Sequence, residues 1–411
     1  MDMRATLLNT NKWNRHRKAD PVRNPIRIAV AGLGDSARLH AVPKFIEYDD
    51  YSLVSICDIR QELLDETLSE IKGKYGVKIP GYTNFDEMLG KEELDAVAIH
   101  IDADKQAALA CRALDRGLHV MTEVPLCYSI EDCWKLVAAV ERSKKTFLLM
   151  EQVRYAGYTE AYREVVRSGV IGKPVFAEGE YFHYIAGGLF FQDDPGRFYS
   201  PEDFGKIPGI KPTWRYKMPA IGYLPHELSP LLYILDDRVT RVVGMANRKQ
   251  SYKHTNMEYC DIQVALMHTE KDVVMRLAVG FSTVSPERTH WHQIKCTDGQ
   301  LEGPRTPTDH HKLYVSNWQM KDLIEMPWDA TRIDEPPEAA SSGHGNLDYY
   351  VYAHFADVVL RNVPLGFDIY KAVETAAPAI LAATSIENSN TAIDVPDFRP
   401  GPNRKYGQLP D

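Results

Sequence analysis

Apolar and polar positions follow two different rhythms along this chain, and the change comes near residue 150. From Ile26 to Met150, short apolar runs (Ile26–Ala31, Ser52–Cys57, Ala96–Ile99, His119–Met121, Phe147–Met150) alternate with stretches of helical periodicity at 37–48, 61–74, 84–90, 105–116 and 130–143. Continuous apolar runs separated by helices mark strands buried on both faces, so 26–150 is expected to form a doubly wound parallel sheet. Beyond a helix at 158–168, runs of period two follow at Val175–Tyr184, Val239–Met245, Tyr259–Met267, Val273–Ser282 and Thr289–Thr297. Few helices lie between them, which predicts an α+β domain over 151–395 with a large, mostly antiparallel, open sheet. Between 186 and 222 runs a connection rich in Gly, Pro and aromatic residues, long enough to read as an ordered functional lid. Helices at 347–362 and 369–388 precede a Pro-rich tail at 396–411. An N-terminal arm over 1–25 is expected to pack on the protein or on a neighbouring subunit.

The first apolar run leads into Gly32-Leu33-Gly34-Asp35-Ser36-Ala37. Strand, tight turn and helix in that order form the turn of a Rossmann domain, with Ala37 in the place of the third glycine. The glycines let the backbone approach a pyrophosphate, whose charge then lies over the helix N-terminus. Asp58 closes the second run, 24 residues after Gly34. A carboxylate there accepts hydrogen bonds from a ribose and repels a 2′-phosphate, which favours NAD, although Arg60 is compatible with NADP. The expected cofactor residues are Gly32, Gly34, Asp35, Ser36, Ala37, Asp58, Arg60, Glu123, Pro125 and Arg154. Glu123 and Pro125 follow the His119–Met121 run, at the strand edge where doubly wound folds bind ligands.

Composition narrows the partners. A net charge of −9 over 411 residues argues against nucleic acid. No apolar run reaches the ~20 residues of a membrane span. The basic first 25 residues lack the apolar stretch of a signal peptide, so a cytoplasmic location is expected. Six cysteines without C-x-x-C spacing read as reduced thiols, with neither disulfide nor metal expected. Asp309-His310-His311 reads as a surface tract.

Ionisable groups gather in the second half. Period two puts Tyr181 and His183 on one sheet face. Tyr223 and His226 are three apart at a helix entry, on one face if the helix has begun. His344 sits between two glycines ahead of a helix. Arg197, Lys211, Arg215 and Lys217 bring positive charge to the lid, either as solvated loop charges or to hold an anionic sugar.

The G-x-G turn, the Asp58 strand end, Gly117-Leu118-His119-Val120 leading to Glu-x-Pro, and the sheet domain resemble the Gfo/Idh/MocA oxidoreductases. In ordinary dehydrogenases of that superfamily a lysine follows the glutamate and an aspartate stands four residues before a histidine. Here those positions are Val124 and Gly222, and His226 remains. Glu123-Val124, Tyr181-x-His183, Trp214-Arg215, Tyr223-x-x-His226 and His344-Gly-Asn-Leu-Asp together resemble the NAD-dependent glycosidases of glycoside hydrolase family 109. The resemblance implies transient oxidation at sugar C3 by bound NAD, proton abstraction at C2, elimination at C1, water addition and re-reduction. It implies Tyr181, His183, Tyr223 and His226 as the proton-transfer set, with Glu123 and His344 orienting substrate or nicotinamide. The expected substrate-binding residues are Arg197, Trp214, Arg215, Lys217 and His344. The alternative is an NAD(P)-dependent sugar dehydrogenase with His226 or His183 as base, and a third reading is a sensor that has lost catalysis. A glycoside is the expected substrate, and a homo-oligomer (dimer or tetramer) the expected assembly, because an open sheet face needs cover.

Overall fold

The computed structural model describes residues 24–194, 196–284, 289–401 and 404; the expected arm over residues 1–23 and most of the tail beyond 401 lie outside these. Six parallel strands, β1 (Ile26–Ala31), β2 (Tyr51–Cys57), β3 (Gly81–Tyr82), β4 (Ala96–Ile99), β5 (His119–Thr122) and β6 (Phe147–Leu149), form a sheet in the order β3-β2-β1-β4-β5-β6. Every residue of β4 and β6 is buried, as two covered faces require. Helices α1 (Val42–Glu47), α2 (Gln61–Tyr75), α3 (Phe85–Lys91), α4 (Ala103–Asp115) and α5 (Ile130–Ser143) connect the strands. Side chains set several of their starts: Asn84 accepts from the Glu87 N–H and Ser129 from the Asp132 N–H, each at 3.0 Å.

The helix expected over 37–48 is not one uniform α-helix. Residues 37–41 form a π-type turn in which the Val42 N–H reaches the Ala37 carbonyl, and α1 follows. Pro43 lacks the N–H that a regular ladder would need there, so the ladder changes step just before it.

After α6 (Gly157–Ser168) comes the second sheet. Its strands are β7 (Pro174–Phe182), β11 (Val239–Ala246), β12 (Gln263–Thr269), β13 (Val274–Gly280), β14 (His290–Cys296), β15 (Gly299–Glu302), β16 (His311–Val315), β17 (Ile324–Met326) and β18 (Ile393–Asp394). The order is β17-β16-β15-β14-β7-β13-β12-β11-β18, and only β7 and β13 run parallel. The five period-two runs correspond to β7, β11, β12, β13 and β14. β15 to β18 are short and were not separable from loop by pattern. Within the lid, β8 (Phe191–Gln192), β9 (Phe198–Tyr199) and β10 (Lys211–Pro212) form a small antiparallel sheet. Phe190 and Phe191 anchor it, buried against Tyr259 and Phe204.

Three more helices join the two sheets. α7 (Pro225–Leu235) packs beside β7 and α6. α8 (Leu347–Arg361) returns to the parallel sheet: Tyr51 donates to the Tyr352 carbonyl at 2.5 Å, and Arg361 pairs with Asp50 at 2.6 Å. α9 (Ile369–Glu387) lies between α5 and β11, and its approach needs Gly244, where a Cβ would stand 2.1 Å from the Ala382 carbonyl oxygen.

His311, expected on the surface, is instead buried on β16. It shares a hydrogen bond of 2.9 Å with the Tyr162 hydroxyl and stacks on Tyr158. Its neighbour Asp309 does face a cation, Lys312, which together with backbone N–H groups holds its carboxyl down to about 2 although burial pushes the other way. Among the described residues no group of three metal-ligating side chains occurs, and no helix is long and apolar enough to cross a membrane.

Candidate active site

Residues at the carboxyl ends of five parallel strands build one side of the site. After β1, Gly32 turns with φ +90°, and a Cβ there would stand 2.2 Å from the His100 carbonyl oxygen. At Gly34 a Cβ would meet nothing within 4 Å, so the surface over the turn is open, as a pyrophosphate requires. Asp35 is exposed, Ser36 half-buried and Ala37 buried beneath them. After β2, Asp58 accepts from the Leu33 N–H at 2.8 Å and, through its other oxygen, from the Arg60 N–H and side chain. The carboxylate is thereby tied to the glycine turn, with Arg60 beside it. These residues fit a dinucleotide: a glycine cradle, an open turn and a carboxylate at the end of the neighbouring strand in register.

After β5, Glu123 accepts from the Ser36 hydroxyl at 2.6 Å and lies 2.9 Å from His100 Nδ1. Burial pushes its carboxyl up, but His100 and Ser36 outweigh burial and hold it at about 2. Gln106 locks the following backbone, donating to the Glu123 and Pro125 carbonyls across the cis Val124–Pro125 bond. Facing Glu123 across a small cavity is His344, half-exposed, with φ +45° between Gly343 and Gly345. Burial lowers the His344 pKa, yet Asp348, 2.9 Å away, raises it to about 9, so the ring is cationic at neutral pH.

The other side comes from the second sheet. Tyr181, near the end of β7, shares a hydrogen bond of 3.1 Å with His183 Nδ1 just past the strand. Tyr223 and His226 stack at 5.9 Å and 25°, at the entry to α7. Tyr181 meets His226 edge-on at 5.4 Å and Tyr223 at 6.3 Å. The four expected ring side chains therefore form one cluster. Glu151, fully buried after β6, places Oε2 2.6 Å from His226 Nδ1 and leaves Nε2 for exchange. Burial keeps Tyr181 and Tyr223 protonated, Tyr223 against the pull of Arg215. Partial burial and the neighbouring histidines lower the His183 pKa, so this ring is neutral and able to accept a proton.

The lid delivers Trp214 and Arg215 to the cluster. Trp214 stacks on Tyr223 at 6.1 Å, and the Arg215 guanidinium lies 4.6 Å over the Trp214 ring. Other expected contacts are not brought here. Arg197 is exposed, and its neighbour Gly196 backs onto Arg60 at the ribose end. Lys217 is exposed at the end of the helical turn 214–217, and Lys211 pairs with Asp194. Arg154, expected at the cofactor, lies instead between Tyr233 and Phe367, with Ser229 3.4 Å away, in a buried packing position.

Sequence reasoning missed His100 and Glu151, although both stand within two residues of a parallel strand's end and the strand-end rule covers them. It also missed His40, whose Nδ1 lies 2.7 Å from where a Gly343 Cβ would be. His290 and His292 alternate on β14, a signal that was present but was read only as strand.

The parallel sheet with its glycine turn defines an NAD-binding Rossmann domain, and residues 26–151 match the model of the oxidoreductase family with an NAD-binding Rossmann fold, Gfo/Idh/MocA. Residues 158–405 match the glycosyl hydrolase 109 C-terminal domain, and the chain belongs to that family. A glycosyl hydrolase family 109 protein of a Shewanella species is 24% identical over 93% of this chain and 86% of its own length. An α-N-acetylgalactosaminidase of Shewanella oneidensis is similar at 24% identity, with 93% and 86% covered. Among solved structures, scyllo-inositol dehydrogenase from Lactobacillus casei, bound to NAD(H) and scyllo-inositol, shares the fold with TM-score 0.68 at 17% identity, covering 90% of this chain and 99% of that one.

Proposed function

We propose that this chain is a glycosidase that cleaves by transient oxidation, with an N-acetylated or anionic α-hexosaminide-like sugar as substrate. One observation carries the reading. Val124 and Gly222 stand where dehydrogenases of the superfamily carry lysine and aspartate, while four ring side chains with proton-transfer chemistry converge beside them. NAD, bound at the glycine turn, would supply a hydride acceptor and donor there. The chain's own residues then manage protons. Tyr181 keeps its phenolic proton and His183 its neutral ring, so the pair holds one proton donor and one nitrogen able to accept a proton 3.1 Å apart. His226, backed by Glu151, offers Nε2 to the same space. Glu123 and His344 bring opposite charges to the mouth and orient a polar substrate between them. Of the lid cations Arg197, Lys211, Arg215 and Lys217, Arg215 is the one that reaches the rings, so it is the group that would hold a carboxylate or sulfate on the sugar.

The test is a panel of 4-nitrophenyl glycosides that includes N-acetyl-α-galactosaminide and uronides. Nitrophenol release without net NADH supports the reading. NADH formation with the glycoside intact replaces it with the dehydrogenase alternative.

A further inference from the structure

Below the Tyr181–His183 pair lies a carboxylate that this chemistry leaves unused. Glu227 is fully buried in the first turn of α7, where an ionised carboxylate is costly unless paired. Its partners are two imidazoles of β14: His290 Nδ1 lies 2.5 Å from Oε1, and His292 Nε2 lies 2.8 Å from Oε2. Burial pushes the Glu227 carboxyl up, and the two histidines bring it below its ordinary range. Residues 290 and 292 share one face of the strand by its period of two. The antiparallel pairing with β7 sets His290 opposite Tyr181.

The two histidines differ in what remains to them. His292 is buried, gives Nε2 to Glu227, and has Nδ1 3.5 Å from the Tyr158 hydroxyl. His290 gives Glu227 its Nδ1, and no hydrogen bond from the described residues reaches its Nε2. Its side chain keeps 27% exposure. The ring lies flat on Tyr181, 4.8 Å away at 6°, and edge-on to His226 at 5.9 Å. A histidine with one nitrogen fixed by a buried carboxylate has a set tautomer, a stabilised imidazolium and one nitrogen for proton exchange.

We propose that His290 is a further proton-transfer group of this site, with Glu227 as its positioning residue. Nε2 takes up a proton released among the rings, the imidazole becoming imidazolium opposite the Glu227 carboxylate. The proton returns later in the same turnover, and no electron is transferred. The reaction that this serves rests on the glycosidase reading, whereas the His290–Glu227 arrangement does not.

Two readouts on the full-length, NAD-loaded protein separate the two. Diethyl pyrocarbonate modifies unprotonated, accessible imidazole nitrogen, and peptide mass spectrometry locates the label. The wild type is expected to react at His290 at least about tenfold faster than at His292, because His290 is part-exposed and His292 buried, and Glu227→Gln to change the His290 rate severalfold, because Nδ1 loses the carboxylate that fixes the tautomer. With 4-nitrophenyl N-acetyl-α-galactosaminide, His290→Gln should lower kcat by roughly 100-fold with little change in KM, and added imidazole should restore part of it. Equal labelling of the two histidines, or His290→Gln with wild-type kcat, overturns the proposal. If the wild type leaves the glycoside intact, the glycosidase reading with this sugar fails, and labelling of the wild type alone decides His290.

Discussion

At Gly32 a single missing side chain decides whether the cofactor turn can exist. Its φ of +90° is costly for any other residue, and a Cβ would press on the backbone of the β4 end at 2.2 Å. Gly32→Ala should therefore cost roughly 1–3 kcal/mol from the strained backbone alone, and more from the clash. Calorimetry should show lost NAD binding together with a lower Tm. Gly34, with open space where its Cβ would be, should tolerate alanine in the fold and lose affinity only. His344 gives the matching electrostatic case. Its folded pKa, about 9, lies above the ordinary ~6.5 of histidine because Asp348 outweighs burial. The charge therefore contributes stability that is fully present below ~6.5 and is lost as pH rises through about 9. Asp348→Asn should bring the His344 titration, followed by NMR, down by two units or more; an unchanged value near 9 would show that Asp348 is not its partner.

At the scale of elements, the site is a meeting of strand ends with one helix entry and one lid. Glu123, Asp58 and the glycine turn were legible because each follows an apolar run, and edge position alone implies ligand contact. Tyr181 with His183, and Tyr223 with His226, were legible because their spacing survives in any strand or helix. Glu227, His290 and His292 were not, since the register of β14 on β7 and the packing of α7 decide which side chains meet. Arg154 misled for a related reason. A basic residue near a strand end resembles an anion ligand until Tyr233 and Phe367, from distant parts of the chain, close over it. The lid makes a prediction of its own. Arg215 opposes the upward push of burial on Tyr223, so Arg215→Met should raise the Tyr223 pKa further, read by ultraviolet titration against a Tyr223→Phe control. It should also lower kcat about tenfold or more if the guanidinium contacts the sugar.

The molecule places its chemistry between two sheets, and among the described residues nothing covers one broad face of the second sheet. On the nine-stranded sheet, the face towards α9 carries Val242, Ala265, Met267, Met275 and Leu277, all buried. The opposite face carries exposed Met245, Leu266 and Val274 beside Arg276, which pairs with both Glu178 and Glu180. Apolar side chains around a satisfied ionic centre suit a second copy of the chain. We propose assembly through this face, for which light scattering should report a dimer or tetramer and Leu266→Asp a smaller species with the site intact. A monomeric wild type would remove that proposal without touching the chemistry. The central claim concerns that chemistry: bond cleavage through oxidation and proton abstraction beside a carbonyl. The most direct measurement is turnover of a cleaved glycoside in D₂O, with the released sugar examined by NMR while the NADH band is followed. The account predicts deuterium at C2 and no net NADH; cleavage with protium retained at C2, or NADH accumulating while the glycosidic bond stays whole, would contradict it.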